Sequence, residues 1–435
     1  MSYQSQYQQK LTTLEKAAAS IKDNTTVHCG CAGTIATDLV NILLDNYKQF
    51  DNLTIFAALA LRPLRISPEL RGHIRLKTYF VGPFERMAIQ MGLCEFSSVH
   101  FSTMDIWHKE IMPSDVVVFE TAPMDENGYF NGGVIGSAYM RYIMENKARV
   151  IIQVNDKVPW VYGEDNLIHI DQVDMVYEVS NPPGVLPNPE VTDTDRQIAS
   201  HFIDLIKDGS TLQLGVGGTA NAVGYMLDGK KDLGIHTEML TDSMVLLAKK
   251  GIFNGSKYNL YPNKLVTSVC LGGPELYAFM DRNENVLALP MSKLVAPALV
   301  ERINNFVSIN NALAVDLTGQ VASEGLGFKQ FSTTGGQLDF VRGCLRNPSG
   351  ISIICLPSTA VKPDGSVVSR INLAFEPGTP ITTPRSDVMY VATEFGCVNL
   401  WGQPANKRAA MMIDLAHPDF RDELSFQAKK VGLLY

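Results

Sequence analysis

Long apolar runs are missing from this 435-residue chain, and so is any concentration of positive charge. No stretch approaches the ~18 consecutive apolar residues that a bilayer span requires. The polar opening MSYQSQYQQKLTTLEKAAASI lacks the apolar core of a secretion signal. Lys and Arg number 37 against 45 Asp and Glu, a formal charge of −8 without a basic stripe, so nucleic acid is not an expected partner. An acidic balance does not exclude a small anionic substrate, because local Arg and Lys set that affinity. The seven cysteines are odd in number and scattered with no CxxC pair, which argues against both a disulfide framework and a zinc site. Cys29 and Cys31 read as packing residues. Asp125, Glu126 and Asn127 have the residue types of a metal cluster, but Asn-Gly after acids is a turn signal, so no metal is expected. These absences leave a cytoplasmic enzyme, away from membranes and nucleic acid, as the expectation.

What is present is a repeated pattern. The chain is longer than one hydrophobic core usually absorbs, so two domains are expected. Thr26–Thr34 (TVHCGCAGT) and Thr211–Thr219 (TLQLGVGGT) each run an apolar strand into a small-residue turn and then open an amphipathic helix. Leu53–Ala58 resembles Leu233–Glu238, Arg149–Asn155 resembles Gly350–Leu356, and Asp174–Val179 resembles Asp387–Ala392. Short Val/Ile runs recur by chance, so the shared order of the four matches carries more weight than any one of them. We therefore expect an α/β protein made of two similar, open, mostly parallel sheets that arose by internal duplication. The boundary falls in NPPGVLPNPEVTD (181–193), which divides the chain into domains 1–185 and 186–435.

The halves differ where chemistry is expected. Gly215-Val216-Gly217-Gly218 stands where the first half has Gly30-Cys31-Ala32-Gly33, and Glu238 stands where it has Ala58. Glycines between a strand and a helix let the backbone approach a ligand and present N–H groups to negative charge. Glu238 follows the apolar Leu233–Ile235, and ligands of parallel sheets bind beyond the carboxyl ends of strands. The same stretch also fits a relaxed dinucleotide pattern, Gly215-x-Gly217-x-x-Ala220, with Glu238 near the position of a ribose-binding acid. On these residues alone, a nicotinamide-dependent oxidoreductase and an acyl-transfer enzyme both remain open. His236 shares a strand face with Glu238 and reads as a supporting or packing residue.

Longer stretches carry a family resemblance. LGIHTEMLTD (233–242), FVSINNALAVDLTGQVASEGLG (306–327), TGGQLDFVRG (334–343), ITTPRSDVMYVATEFG (381–396) and AHPDFRDEL (416–424), with APMDENGYFNGG (122–133), resemble the acetyl-CoA hydrolase/transferase family. The closest likeness is to its 4-hydroxybutyrate and butyrate:acetate CoA-transferase branch. The resemblance spans essentially the whole chain and implies the class I CoA-transferase fold. It also implies ping-pong CoA transfer between short-chain acyl-CoA and carboxylic acids through a glutamyl-CoA thioester on Glu238. No permanently bound cofactor is implied, since coenzyme A serves as substrate and covalent intermediate.

Each tetrahedral step develops an oxyanion, for which the amides of Gly335, Gly336 and the loop Gly215, Val216, Gly217, Gly218 and Thr219 are the candidate donors. By the same resemblance, that loop, Leu313, Gly336 and Lys362 contact CoA, with Lys362 at a phosphate or else a solvated loop residue, and the protein is a homodimer or higher homo-oligomer. Gln337 and Asp339 order their loop, and Glu394 reads as structural. Asn155-Asp156-Lys157 and Pro159–Gly163 are expected to shape an acyl pocket. A hydrolase of the same fold is the neighbouring alternative, and a non-catalytic acyl-CoA binding protein is a more distant one. The chain departs from the family pattern at Thr219, at Ser243 and in ALPMSKLVAP (288–297), which leaves acyl specificity open.

Overall fold

The computed structural model describes residues 2–145, 148–187, 190–215 and 217–435. It divides into two compact units. Unit 1 comprises Met1–Pro187, Leu240–Asp242 and Val266–Lys293, and unit 2 comprises Asn188–Met239, Ser243–Leu265 and Leu294–Tyr435. Among the described residues no helix is long and apolar enough to cross a membrane.

The main sheet of unit 1 holds, among the described residues, seven strands: β1 (Thr26–Cys31), β2 (Leu53–Ala58), β3 (Ile74–Thr78), β4 (Cys94–Phe96), β5 (Val116–Thr121), β6 (Arg149–Asn155) and β7 (Met175–Val179). They lie in the order β4-β3-β2-β1-β5-β6-β7, and every neighbouring pair is parallel. LTIFAA of β2 and VVVFET of β5 are buried at every position, as expected of parallel strands covered on both faces. The helix α1 (Thr37–Asp45) follows β1 and lays Leu39, Val40 and Leu43 into a core with Val27, Ile55, Val118 and Ile151.

Unit 2 repeats the plan. Six neighbouring strands of the second large sheet, β8 (Thr211–Leu214), β9 (Gly234–Leu240), β10 (Phe306–Asn311), β11 (Ile351–Cys355), β12 (Tyr390–Thr393) and β13 (Gly396–Asn399), run in the order β9-β8-β10-β11-β12-β13. β13 closes the edge antiparallel to β12. The order β2-β1-β5-β6-β7 of unit 1 thus recurs as β9-β8-β10-β11-β12. Around this sheet are α2 (Asp193–Ser200), α3 (Gly218–Met226) and α4 (Gln337–Arg346). A second core forms from residues such as Val315, Val341, Ile354, Val391 and Met412.

The strand ladders test the internal alignment residue by residue. Thr26 faces Thr54 in unit 1 and Thr211 faces Gly234 in unit 2, so the first two sequence matches keep their register. The last two do not. Val116 faces Arg149 and Val307 faces Ile351, so Arg149 corresponds to Ile351, one residue beyond Gly350. Ile151 faces Met175 and Ile353 faces Tyr390, so Met175 corresponds to Tyr390 and not to Val388. Runs of Val and Ile match at any register, whereas a one-residue slip in a ladder exchanges the two faces of a strand.

Candidate active site

The glycine turn of unit 2 is built from close backbone approaches. Strand β8 ends at Leu214, and the Gly215 N–H donates to the Ile309 carbonyl of β10 at 2.8 Å. Gly217 sits at φ +139, where a Cβ would also lie 2.5 Å from Asn311 Nδ2, so only glycine fits. A Cβ on Gly218 would collide with the Asp195 carboxylate. The Thr219 hydroxyl donates to Asp195 Oδ1 at 2.8 Å, and Asp195 is held in turn by a capping box with Thr192 at the start of α2. Thr219 therefore ties α3 to α2. Asp195 and Asn311 were not among the residues expected from the sequence; the Thr192-x-x-Asp195 spacing was the signal available for the first. Val216 lies outside the described residues. Beneath the turn, Gln213, Ser308 and Asn310 form a buried hydrogen-bonded set across β8 and β10.

Glu238 lies near the carboxyl end of β9. The Thr237 hydroxyl donates to the Leu214 carbonyl at 3.2 Å, which sets this part of β9 beside the start of the glycine turn. The Gly336 N–H donates to the Glu238 carboxylate. Gly336 caps the N-terminus of α4, and Gly335 before it is left-handed at φ +62. A Cβ on Gly336 would lie 2.5 Å from Glu238 Oε2 and 3.1 Å from Val295 Cγ1, so this contact has no room for a side chain.

The Glu238 side chain keeps a partly exposed surface, yet protein packs closely around the carboxylate. That desolvation, reinforced by the buried Asp339 carboxylate in the first turn of α4, pushes its pKa up to about 7, while the Gly336 N–H pulls it down. The site thus holds an unusually basic carboxylate, with a backbone donor on one oxygen and an opening to solvent.

The other expected residues divide. His236 is fully buried, bonded to the Tyr258 hydroxyl at 2.7 Å and the Leu294 carbonyl at 2.8 Å, and burial pushes its pKa down to about 4. It is a neutral core residue that packs on Phe340 of α4, the same side to which Glu238 turns. Gln337 donates to the Thr383 hydroxyl at 3.1 Å and so anchors the start of α4. Glu394 accepts from the Ser358 amide and hydroxyl. Leu313 follows β10, its N–H bonded to the Ala322 carbonyl at 2.8 Å. Lys362 is an exposed turn residue of the hairpin Thr359–Val361/Val367–Ser369, and its backbone bonds close that turn.

In unit 1, Asp125 Oδ1 accepts the N–H groups of Asn127 and Tyr129, so this acid orders a turn. Asp156, Lys157, Pro159 and Trp160 line a groove of about 760 Å³ with Tyr277 and Arg282; Glu238 is not on its wall.

Comparison with known proteins then places the chain. Residues 1–186 match the family model of the acetyl-CoA hydrolase/transferase N-terminal domain, and residues 272–428 match that of the C-terminal domain. The chain belongs to the acetyl-CoA hydrolase/transferase family. It is 36% identical over 432 residues to the 4-hydroxybutyrate coenzyme A transferase of Clostridium kluyveri, covering 99% of this chain and 100% of that one. It is 34% identical to the butyryl-CoA:acetate CoA-transferase of Anaerostipes caccae, covering 100% and 99%.

Among solved structures, RipA from Yersinia pestis superimposes with a TM-score of 0.92 at 34% identity over 100% of both chains. The 4-hydroxybutyrate CoA-transferase of Porphyromonas gingivalis does so at 0.80 and 32%, covering 99% and 100%. The malonate decarboxylase alpha subunit of Acinetobacter baumannii, at 14% identity and a TM-score of 0.71 over 99% and 91%, shares the fold. This member of the family is a CoA-transferase, and the nicotinamide reading of Gly215–Ala220 gives way to that activity.

Proposed function

We propose that this CoA-transferase moves CoA between a short-chain acyl-CoA and a carboxylic acid, of the kind acetate, butyrate or 4-hydroxybutyrate, with Glu238 as nucleophile. The observation that carries the reading is the basic, partly open Glu238 carboxylate held by the Gly336 N–H. Raised basicity makes a carboxylate a better nucleophile once it is ionised, and solvent access on one side admits a substrate.

Glu238 attacks the thioester carbonyl, the C–S bond breaks, and an acyl–glutamyl anhydride and CoA thiolate form. The thiolate then attacks the glutamyl carbonyl, releasing the first carboxylate and leaving the enzyme–CoA thioester. A second carboxylate attacks that thioester and runs the steps in reverse. Nucleophile, leaving group and acceptor are all carboxylates, so the exchange is close to balanced. When thiolate adds to the glutamyl carbonyl, negative charge develops on a Glu238 oxygen. The Gly336 N–H already points at that side chain, and a preorganised donor lowers such a step by roughly 3–4 kcal/mol. Amides of Gly335 and of the glycine turn beyond Gly215, whose own N–H is taken by the Ile309 carbonyl, are the donors for the substrate oxyanion. Leu313 and Lys362 extend the CoA site, with Lys362 at a phosphate. The working enzyme is a cytoplasmic homo-oligomer that needs no permanent cofactor.

The test is chemical. After incubation with acetyl-CoA and reduction with borohydride, mass spectrometry finds the modification on Glu238, and Glu238→Ala abolishes both label and exchange. No label on any residue, or full activity in Glu238→Ala, overturns the assignment. Acetate-dependent turnover far above water-only turnover separates transferase from hydrolase.

A further inference from the structure

The loop that delivers the Gly336 amide to Glu238 is braced by an acid with no role in the reaction just described. Glu324 is buried, with 5% of its surface exposed. A carboxylate is costly to bury unless hydrogen-bond donors surround it. Here the Thr334 hydroxyl donates to Oε2 at 3.3 Å and the Thr382 hydroxyl to Oε1 at 3.1 Å. The Glu324 carbonyl also accepts the Phe331 and Ser332 N–H groups at 2.8 and 2.9 Å.

The brace is two-sided. Thr334 immediately precedes Gly335 and Gly336, and Gln337 immediately follows them. Gln337 is tied to Thr383, the neighbour of Thr382, while Thr382 and Thr383 both donate their N–H groups to the Val321 carbonyl. One buried carboxylate therefore links the segment entering the left-handed Gly335 to the segment that anchors its exit.

We propose that Glu324 is a positioning residue that sets the Gly336 amide against the Glu238 carboxylate through Thr334 and Thr382. The inference rests on Glu238 being the nucleophile. Reacting and stabilising groups must be held within about 0.5 Å of their working positions, and misplacement by 1 Å costs up to about 100-fold in rate.

The test compares Glu324→Gln, Thr334→Val and Thr334→Ser in the full-length enzyme. Glu324→Gln is expected to lower kcat about tenfold or more, while KM for acetyl-CoA changes less than about threefold. It also raises the pH midpoint of kcat/KM, because the Gly336 N–H is the contact that holds the Glu238 pKa down. Asp339 on α4 and the neutral His236 on the same face of β9 are unchanged in all three variants. Thr334→Val shifts rate and midpoint in the same direction, and Thr334→Ser, which keeps the hydroxyl, restores both. A purely structural role would lower thermal stability and leave the midpoint in place.

Wild-type midpoint and kcat in Glu324→Gln overturn the proposal. If that variant does not fold, the same result in Thr334→Val overturns it. Labelling of wild-type Glu238 by acetyl-CoA is measured alongside. Its absence removes the nucleophile reading, whereas a label with unshifted variants removes only the positioning role.

Discussion

Replacing Glu238 by glutamine should make the protein more stable, and by an amount that depends on pH. The carboxylate titrates at about 7 in the folded chain against an ordinary 4.5, because burial and Asp339 disfavour its charge. Below pH 4.5 it is protonated in both the folded and unfolded states and costs nothing. Between 4.5 and 7 the unfolded chain ionises and the folded one does not, so stability falls by about 1.4 kcal/mol per pH unit. Above 7 the loss is complete, with a ceiling of about 3 kcal/mol and nearer 2 kcal/mol once the partial exposure of the side chain is discounted.

Glutamine keeps the size of the side chain and a carbonyl oxygen for the Gly336 N–H, but removes the charge. The thermal midpoint of Glu238→Gln should therefore rise above that of the wild type by several degrees at pH 8. The gap should shrink through pH 6 and vanish near pH 4.5. Paired melts followed by intrinsic fluorescence across this range measure it, while the variant loses CoA transfer. A constant offset at all pH values, or a variant less stable than wild type at pH 8, would refute the account of how Glu238 is made basic.

Other consequences are checkable in the same preparations. The value of kcat/KM for acetyl-CoA should rise with pH as Glu238 ionises and level off above about 7; a flat profile from pH 5 to 9 would contradict a carboxylate nucleophile of that basicity. Asp339→Asn removes the charge that raises the Glu238 pKa and should move that midpoint down, as read from the same profile. Gly336→Ala places a Cβ 2.5 Å from Glu238 Oε2 and should cut kcat about 100-fold or more; a rate within a few-fold of wild type would count against that contact. Thr219→Val leaves the buried Asp195 without one of its donors and should cost about 1–3 kcal/mol in urea denaturation.

Much of this was legible in the sequence. A glycine turn after one strand and an acid at the end of the next are local patterns, and the bond from the Thr237 hydroxyl to the Leu214 carbonyl brings the two strand ends together as those patterns require. The packing role expected of His236 agrees with its two buried hydrogen bonds. Register in the later strands was not legible, because apolar runs in Arg149–Asn155 and Gly350–Leu356 match equally well one residue apart, and only backbone pairing separates the choices. Long-range partners were also hidden. Gly336 entered through the family resemblance and not through spacing, while the Thr192-x-x-Asp195 spacing signalled a helix cap but not the bond to Thr219, and Glu324 gave no local sign of the loop it holds. A polar residue announces that it needs a partner but not where in the chain the partner lies.

The interrupted make-up of unit 1 bears on how the enzyme is born. Its last segment, Val266–Lys293, is encoded after the first seventy-odd residues of unit 2, and it supplies Tyr277 and Arg282 to the groove wall. A ribosome adding about 5–20 residues per second reaches Lys293 roughly 5–20 s after Pro187. Throughout that interval the nascent first half is complete in its sheet but lacks a segment that buries residues such as Leu276 and Met280, while unit 2 still lacks β10, the strand that pairs with β8. Neither half can finish before the other is well advanced, so a stop after Pro187 yields a fragment missing part of its own unit. Two units that repeat one plan are thus completed as a single unit of synthesis.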